Sequence, residues 1–225
     1  MAVLVPVDDP ADPRVSDFVG LADPDLRRLR ERSGGSEGGF FIAEGVRVIR
    51  QLVCSPYRVR SLLLAPRRLA ALEAELATLD APVFVAAQPV LDSISAFHLH
   101  RGALASADRR ALPGLAAVTG ADGPLVLAEG VNDHENLGAL FRNAAAFGAA
   151  AVVLDPTCAD PLYRRSVRVS LGHVLRVPFT VARPWPAAVA QLQACGFEVL
   201  ALTPAPDAED LRGVERRRRQ ALLVG

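Results

Sequence analysis

The chain has 225 residues, 51% hydrophobic and 22% charged, which suits one large folded domain or two ordinary ones and excludes a disordered chain. Its 25 basic residues balance 25 acidic ones, so no excess of positive charge marks it as a nucleic-acid binder. No apolar run is long enough to cross a bilayer. Cys54, Cys158 and Cys195 are too scattered for a CxxC pair or a disulfide framework.

Residues 1–22 turn acidic and proline-rich at once and carry no basic leader region. They read as a flexible arm on a protein of the reducing cytoplasm. Asp23 and Pro24 supply an N-cap and first-turn pair for a short basic helix, DPDLRRLRERS, ending in GGSEGG. Those glycines follow a helix and precede a strand, the reverse of a dinucleotide-binding loop, and so read as a hinge. From Phe40 the pattern alternates: FFIAE (strand), GVRVIRQLVCS (helix), RSLLLA (strand), RRLAALEAELATLD (amphipathic helix), APVFVAA (strand), PVLDSISAF (helix) and GALASA (strand). A compact α/β domain over residues 23–107 is expected, with a linker over 108–123 rich in Ala, Pro and Gly.

A second α/β series fills residues 124–225. LVLAE is a strand and NLGALFRNAAAFG a helix that Asn136 can cap and Gly148 can close. Leu137, Leu140, Phe141, Ala144 and Ala145 form its apolar stripe. AAVVLDP (strand), YRRSVRVSLGHVL (helix), FTVA (strand), AAVAQLQACG (helix) and FEVLALTP (strand) follow, then the polar DAEDLRGVERRRRQ and the strand ALLVG. Strands alternating with helices predict a parallel sheet with right-handed crossovers. Ligands of such sheets sit beyond the carboxyl ends of the strands, which puts residues 129–136, 155–160 and 203–207 on one rim.

By spacing alone, Arg142 is most simply a solvated arginine and Asn136 a cap. His98 and His100 would share one face of a strand, but no third ligand is near and no metal is expected. His134 lies in the rim loop without a partner in sequence. Arg216 to Arg219 sit beside the acidic DAED and read as a solvated helix face. All 25 basic residues are arginine, whose planar fork suits phosphate, although they divide evenly with the acids: 14 against 14 in residues 1–120 and 11 against 11 thereafter.

The combination of a strand, a loop of Asn132, Asp133, His134 and Glu135, then NLGALFR and AAAFG resembles motif 1 of the SpoU/TrmH family of RNA ribose methyltransferases (SPOUT class). Asn136, Gly138, Arg142 and Gly148 match its pattern. RRSVRVSLGHVLRVPF resembles the family's continuation, with Ser170 and Gly172 matching, and FFIAEGVRVIRQLV resembles the opening of its small substrate-binding domain. The resemblance implies an α/β substrate-binding domain followed by a parallel-sheet trefoil-knot domain. It also implies transfer of a methyl group from S-adenosylmethionine to a ribose 2′-hydroxyl of structured rRNA or tRNA, by a homodimer that shares its active sites. Arg142 and Asn136 would be catalytic, and Arg142, Arg47 and Ser170 would meet RNA. Leu202, Thr203, Pro204 and Gly225 would hold the cofactor. ALLVG resembles the start of the family's second motif, and the sequence stops there, so a truncated domain without the knot-forming segment is expected. An RNA-binding module without activity and a small-molecule α/β enzyme remain open alternatives.

Overall fold

The computed structural model describes residues 2–22, 39–120 and 123–225; the expected helix over 23–33 and nearly all of its glycine hinge lie outside the described residues. Two compact units emerge: residues 1–111 with 162–176, and residues 112–161 with 177–225.

The first unit contains β1 (Leu4–Pro6), β2 (Phe40–Glu44), α1 (Val46–Val53), β3 (Val59–Leu64), α2 (Glu73–Thr78), β4 (Val83–Val85), α3 (Gln88–Ser95) and β5 (Ala103–Asp108). Its sheet runs β1-β4-β3-β5-β2, with β1, β4 and β3 parallel and β5 antiparallel to both β3 and β2. The first residues are packed rather than loose, contrary to the sequence-based expectation. β1 pairs with β4 as an edge strand, where Pro6 costs no central hydrogen bond. A 3-10 turn over Pro13–Phe18 drops Val15 and Phe18 into the core beside Ile42, Leu63 and Leu104. Prolines break the alternation that would have revealed these apolar anchors. The long helix expected from RRLAALEAELATLD is likewise broken into two 3-10 turns before α2, because Leu72 leaves helical geometry (φ −120°) and is fully buried.

His98 and His100 lie in the turn before β5, not on a strand. Asp92 anchors that turn, accepting from the Leu99 N–H at 2.8 Å and sharing a 2.6 Å hydrogen bond with His98 Nδ1. Burial works against its charge, but these bonds and one from Gln88 outweigh it and hold the carboxyl down at about 2.

The second series supplies α4 (Leu115–Thr119), β6 (Leu125–Ala128), α5 (His134–Ala146), β7 (Ala151–Leu154), α6 (Arg164–Val169), β8 (Phe179–Val181), α7 (Trp185–Ala194), β9 (Glu198–Ala201) and β10 (Gln220–Val224). The sheet of the second unit is wholly parallel, in the order β8-β7-β6-β10-β9. β7 is buried along its whole length, as a continuous apolar run in a covered parallel sheet should be. The stretch read as a linker is partly ordered: it carries α4, and Pro113 O accepts from Thr180 Oγ1 of β8 at 2.6 Å. Arg216 to Arg219 are not helical but lie in an irregular segment before β10, with Arg219 Nη1 donating to Cys195 O at 2.6 Å. Glycine at 213 and the lack of an apolar stripe give that segment nothing to bury as a helix.

α6 and the turn after it belong to the first unit. Gly172 there has φ +84°, and a Cβ built on it would stand 2.8 Å from Gln51 Cβ and 3.4 Å from Val48 Cα of α1. Gly172→Ala is therefore expected to cost about 2 kcal/mol or more, combining left-handed backbone strain with a contact that cannot open cheaply. Chemical denaturation measures it; a variant within about 0.5 kcal/mol of wild type would show that α6 can lift away from α1.

Among the described residues no helix is long and apolar enough to cross a membrane.

Candidate functional site

The carboxyl ends of β6, β7, β9 and β10 form one rim, and hydrogen bonds tie its loops together. Asp155, just after β7, accepts from the Gly130 and Thr157 N–H groups and from Thr157 Oγ1 at 2.7 Å. Burial pushes this carboxyl up, but those donors outweigh it and keep it below the usual carboxylate range. Ala159 N–H donates to Val131 O at 2.9 Å, a second latch between the same two loops. On the other side Glu129 N–H donates to Val224 O at 2.9 Å, while Glu129 Oε1 accepts from Trp185 Nε1 at 2.8 Å. A Cβ on Gly225 would lie 2.9 Å from Glu129 O, so only glycine lets the end of β10 pass this close to the loop after β6.

Leu202, Thr203, Pro204 and Gly225 therefore meet at the ends of the adjacent strands β9 and β10. Leu202 N–H donates to Leu223 O at 2.9 Å, which keeps the two strand ends side by side. The Leu202 side chain nevertheless stays 44% exposed, as do Thr203, Pro204 and Gly225 beside it.

α5 leaves the same rim. It starts two residues before Asn136: Asp133 is the N-cap, accepting from the Glu135 and Asn136 N–H groups at 2.9 and 2.8 Å. This corrects the assignment of Asn136 as the cap. A carboxylate at the N-cap both satisfies open N–H groups and faces the positive end of the helix dipole, so Asp133 outcompetes the later amide. The Asn136 side chain is left exposed on the first turn. Gly148, φ +70°, closes the helix as expected. Leu137, Gly138, Phe141 and Ala144 are buried, and Phe141 meets Phe179 edge to face at 5.5 Å. Arg142 points the other way. It is exposed and, among the described residues, forms no hydrogen bond or ion pair. It sits about 9 Å along the helix axis from Asn136.

Beside α5 a 420 Å³ groove is lined mainly by apolar groups, among them Ala139, Leu140, Leu222 and Val224. Phe147 at its edge is 80% exposed.

Two further residues were expected to touch RNA. Arg47 is exposed on the first turn of α1. Ser170 is fully buried, its hydroxyl donating to Val167 O at 2.9 Å, so it closes the end of α6 instead of facing a ligand. Among the described residues no group of three or more His, Cys, Asp or Glu is placed to hold a metal ion. Burial pushes the Cys158 thiol up, and its Sγ donates to Ala128 O at 3.3 Å, which marks an inert packing thiol. The sequence placed Asp155 on the rim but not its role as the latch; the Asp-Pro-Thr triplet after an apolar strand was its Asx-turn signal.

Residues 124–225 match the model of the SpoU rRNA Methylase family. An uncharacterised tRNA/rRNA methyltransferase of Mycobacterium tuberculosis is 43% identical over 222 residues, covering 96% of this chain and 75% of that protein. The chain belongs to the SpoU rRNA methylase family. Another uncharacterised tRNA/rRNA methyltransferase, from Archaeoglobus fulgidus, is 34% identical over 109 residues, 48% of this chain and 47% of its own length. The fold is shared with the AdoMet-bound rRNA methyltransferase from Sinorhizobium meliloti, at a TM-score of 0.77 and 20% identity over 99% of this chain and 81% of that one. The SpoU methyltransferase AviRb from Streptomyces viridochromogenes gives 0.74 and 20% over 95% and 80%. The α/β fold with its parallel sheet is thus that of the SPOUT methyltransferases, as the sequence led one to expect.

Proposed function

We propose that this SpoU-family tRNA/rRNA methyltransferase uses S-adenosylmethionine to methylate a ribose 2′-hydroxyl of structured rRNA or tRNA. The observation that carries this reading is Arg142: an exposed guanidinium with no ion pair among the described residues, on the helix that leaves a glycine-closed, hydrogen-bonded rim. The residues expected to hold the cofactor suit it. Exposed Leu202 offers an apolar face to an adenine, and Gly225 ends β10 beside it, packed close against Glu129 O. When bound, S-adenosylmethionine supplies an electrophilic methyl group.

The remaining work falls to the protein. A guanidinium stays protonated in proteins, so Arg142 acts as a charge, not as a base. It binds the phosphate beside the target ribose and stabilises the alkoxide left on the 2′-oxygen once the hydroxyl proton passes to solvent water. Asn136, freed from capping, is an exposed first-turn amide available to the substrate, more than one and a half helical turns from Arg142. Asp133 and Asp155 hold the loops in place, so that little reorganisation remains when RNA arrives.

The protein works in the cytoplasm as a homodimer with a shared active site, as the family resemblance implies. The exposed Phe147 beside its apolar groove supports a face that pairs with a second copy. Methyl transfer to RNA, followed by identification of the methylated nucleoside, tests the proposal.

A further inference from the structure

One face of the parallel sheet carries an ordered row of side chains out to the rim. Leu127 of β6, Val153 of β7 and the partly buried Leu223 of β10 pack with Trp185, Ala188 and Leu192 of α7. Side chains alternate along a strand, so the next positions on this face are Glu129, Asp155 and Gly225. The registers set these three side by side, because Leu127 pairs with both Val153 and Leu223, two residues before them. A Cβ added to Gly225 would lie 3.7 Å from Glu129 Cβ, as neighbours on one face should.

Of the two carboxylates in this row, Glu129 has an oxygen to spare. Asp155 commits Oδ1 to the Thr157 N–H and hydroxyl and Oδ2 to the Gly130 N–H. Glu129 accepts from Trp185 Nε1 at Oε1, at 2.8 Å, and among the described residues its Oε2 has no hydrogen bond or ion pair. That anchor is a firm one. An indole N–H can only donate, and Trp185 is 8% exposed, so water competes poorly for it. The result is an exposed carboxylate held in a fixed direction with one oxygen open. Gly225 puts no side chain between it and the end of β9, where Leu202 and Thr203 lie two strand spacings, about 10 Å, away.

We propose that Glu129 binds the α-ammonium group of S-adenosylmethionine through Oε2. The inference rests on the methyltransferase reading above and on the cofactor site proposed there at Leu202, Thr203, Pro204 and Gly225. The cofactor joins an adenine, which suits exposed Leu202, to an amino-acid tail whose ammonium suits a carboxylate. Hydrogen bonds between two charged groups are roughly twice as strong as neutral ones. Leu202 and Glu129 bound a stretch of rim that Gly225 keeps bare, so the two ends of one ligand can reach both. Local sequence gives no hint of this role. Glu129 reads as the polar end of an apolar strand, and the tryptophan that fixes it lies 56 residues later.

The test compares wild type with Glu129→Gln in the full chain, by calorimetric binding of three ligands and by a melting curve. Glutamine keeps an oxygen for Trp185 Nε1 and loses the charge. Expected is roughly tenfold weaker binding or more of S-adenosylmethionine, and an equal loss for S-adenosylhomocysteine, since both carry the ammonium. 5′-Methylthioadenosine has the adenine, ribose and thioether but no amino-acid tail, and its affinity should not change. The melting temperature should also hold. Unchanged affinity for S-adenosylmethionine overturns the role of Glu129 alone. Equal loss for all three ligands assigns the effect to the ribose or to packing and overturns it too. So does a loss confined to S-adenosylmethionine, which would put the carboxylate at the sulfonium. A wild-type chain that binds none of the three overturns the methyltransferase reading together with this one.

Discussion

Arg142→Ala is expected to lower methyl transfer by roughly two or more orders of magnitude, the scale seen when a preorganised transition-state donor is removed. Thermal stability should stay within about 0.5 kcal/mol of wild type, since the side chain is exposed and without a partner among the described residues, and alanine favours the helix. Affinity for S-adenosylmethionine should also hold, because Arg142 lies outside the ends of β9 and β10. Arg142→Lys separates two ways of meeting a phosphate. Lysine keeps the charge and loses the fork, so a bidentate role predicts a large loss there as well. Near-wild-type turnover of the lysine variant would mean that a point charge suffices. Steady-state methyl transfer together with a melting curve reads both quantities, and an active alanine variant would remove Arg142 from the chemistry.

Phe141→Ala, one residue earlier, should do the opposite: about 3–5 kcal/mol of stability lost, the range for deleting a buried aromatic side chain. Phe141 is fully buried and packs edge to face on Phe179 of β8, so its removal opens a cavity between α5 and the parallel sheet. Phe141→Leu, which keeps most of the volume, should lose much less. Denaturant unfolding checks both. If Phe141→Ala were as stable as Arg142→Ala, the assignment of buried and exposed faces on α5 would be wrong. The two neighbours then divide into packing and chemistry; spacing already put Phe141 on the buried stripe and Arg142 in solvent, but could not give the arginine a role.

The second unit was largely legible in the sequence because its signals are local. AVVL, LVLA and ALLV are short apolar runs separated by helical periods, and runs of that kind become covered parallel strands. The common rim follows from that geometry. Where the reading failed, competition between nearby residues or long-range packing decided the outcome. Asn136 looks like a cap, but Asp133 is a stronger one three residues earlier, and both suit the same helix start. Ser170 matched a family position, yet its hydroxyl turns inward to Val167 O. Residues 2–22 looked loose because Pro6, Pro10 and Pro13 hide the spacing of Val7, Val15, Phe18 and Leu21, whose partners lie dozens of residues away. The sharing of Glu44 by Arg101, Arg164 and Arg168, at 3.2 to 4.0 Å, was beyond any local pattern. Residues 44, 101, 164 and 168 come together only through β2, β5 and α6.

The most direct measurement supplies the protein with methyl-labelled S-adenosylmethionine and unmethylated rRNA and tRNA transcripts, then digests the RNA to nucleosides. Label should appear as a 2′-O-methylnucleoside from a structured RNA and be lost with Arg142→Ala. Label on a base would contradict ribose methylation. RNA binding without transfer would leave an inactive RNA-binding module, and neither binding nor transfer would point to a small-molecule enzyme using the same rim.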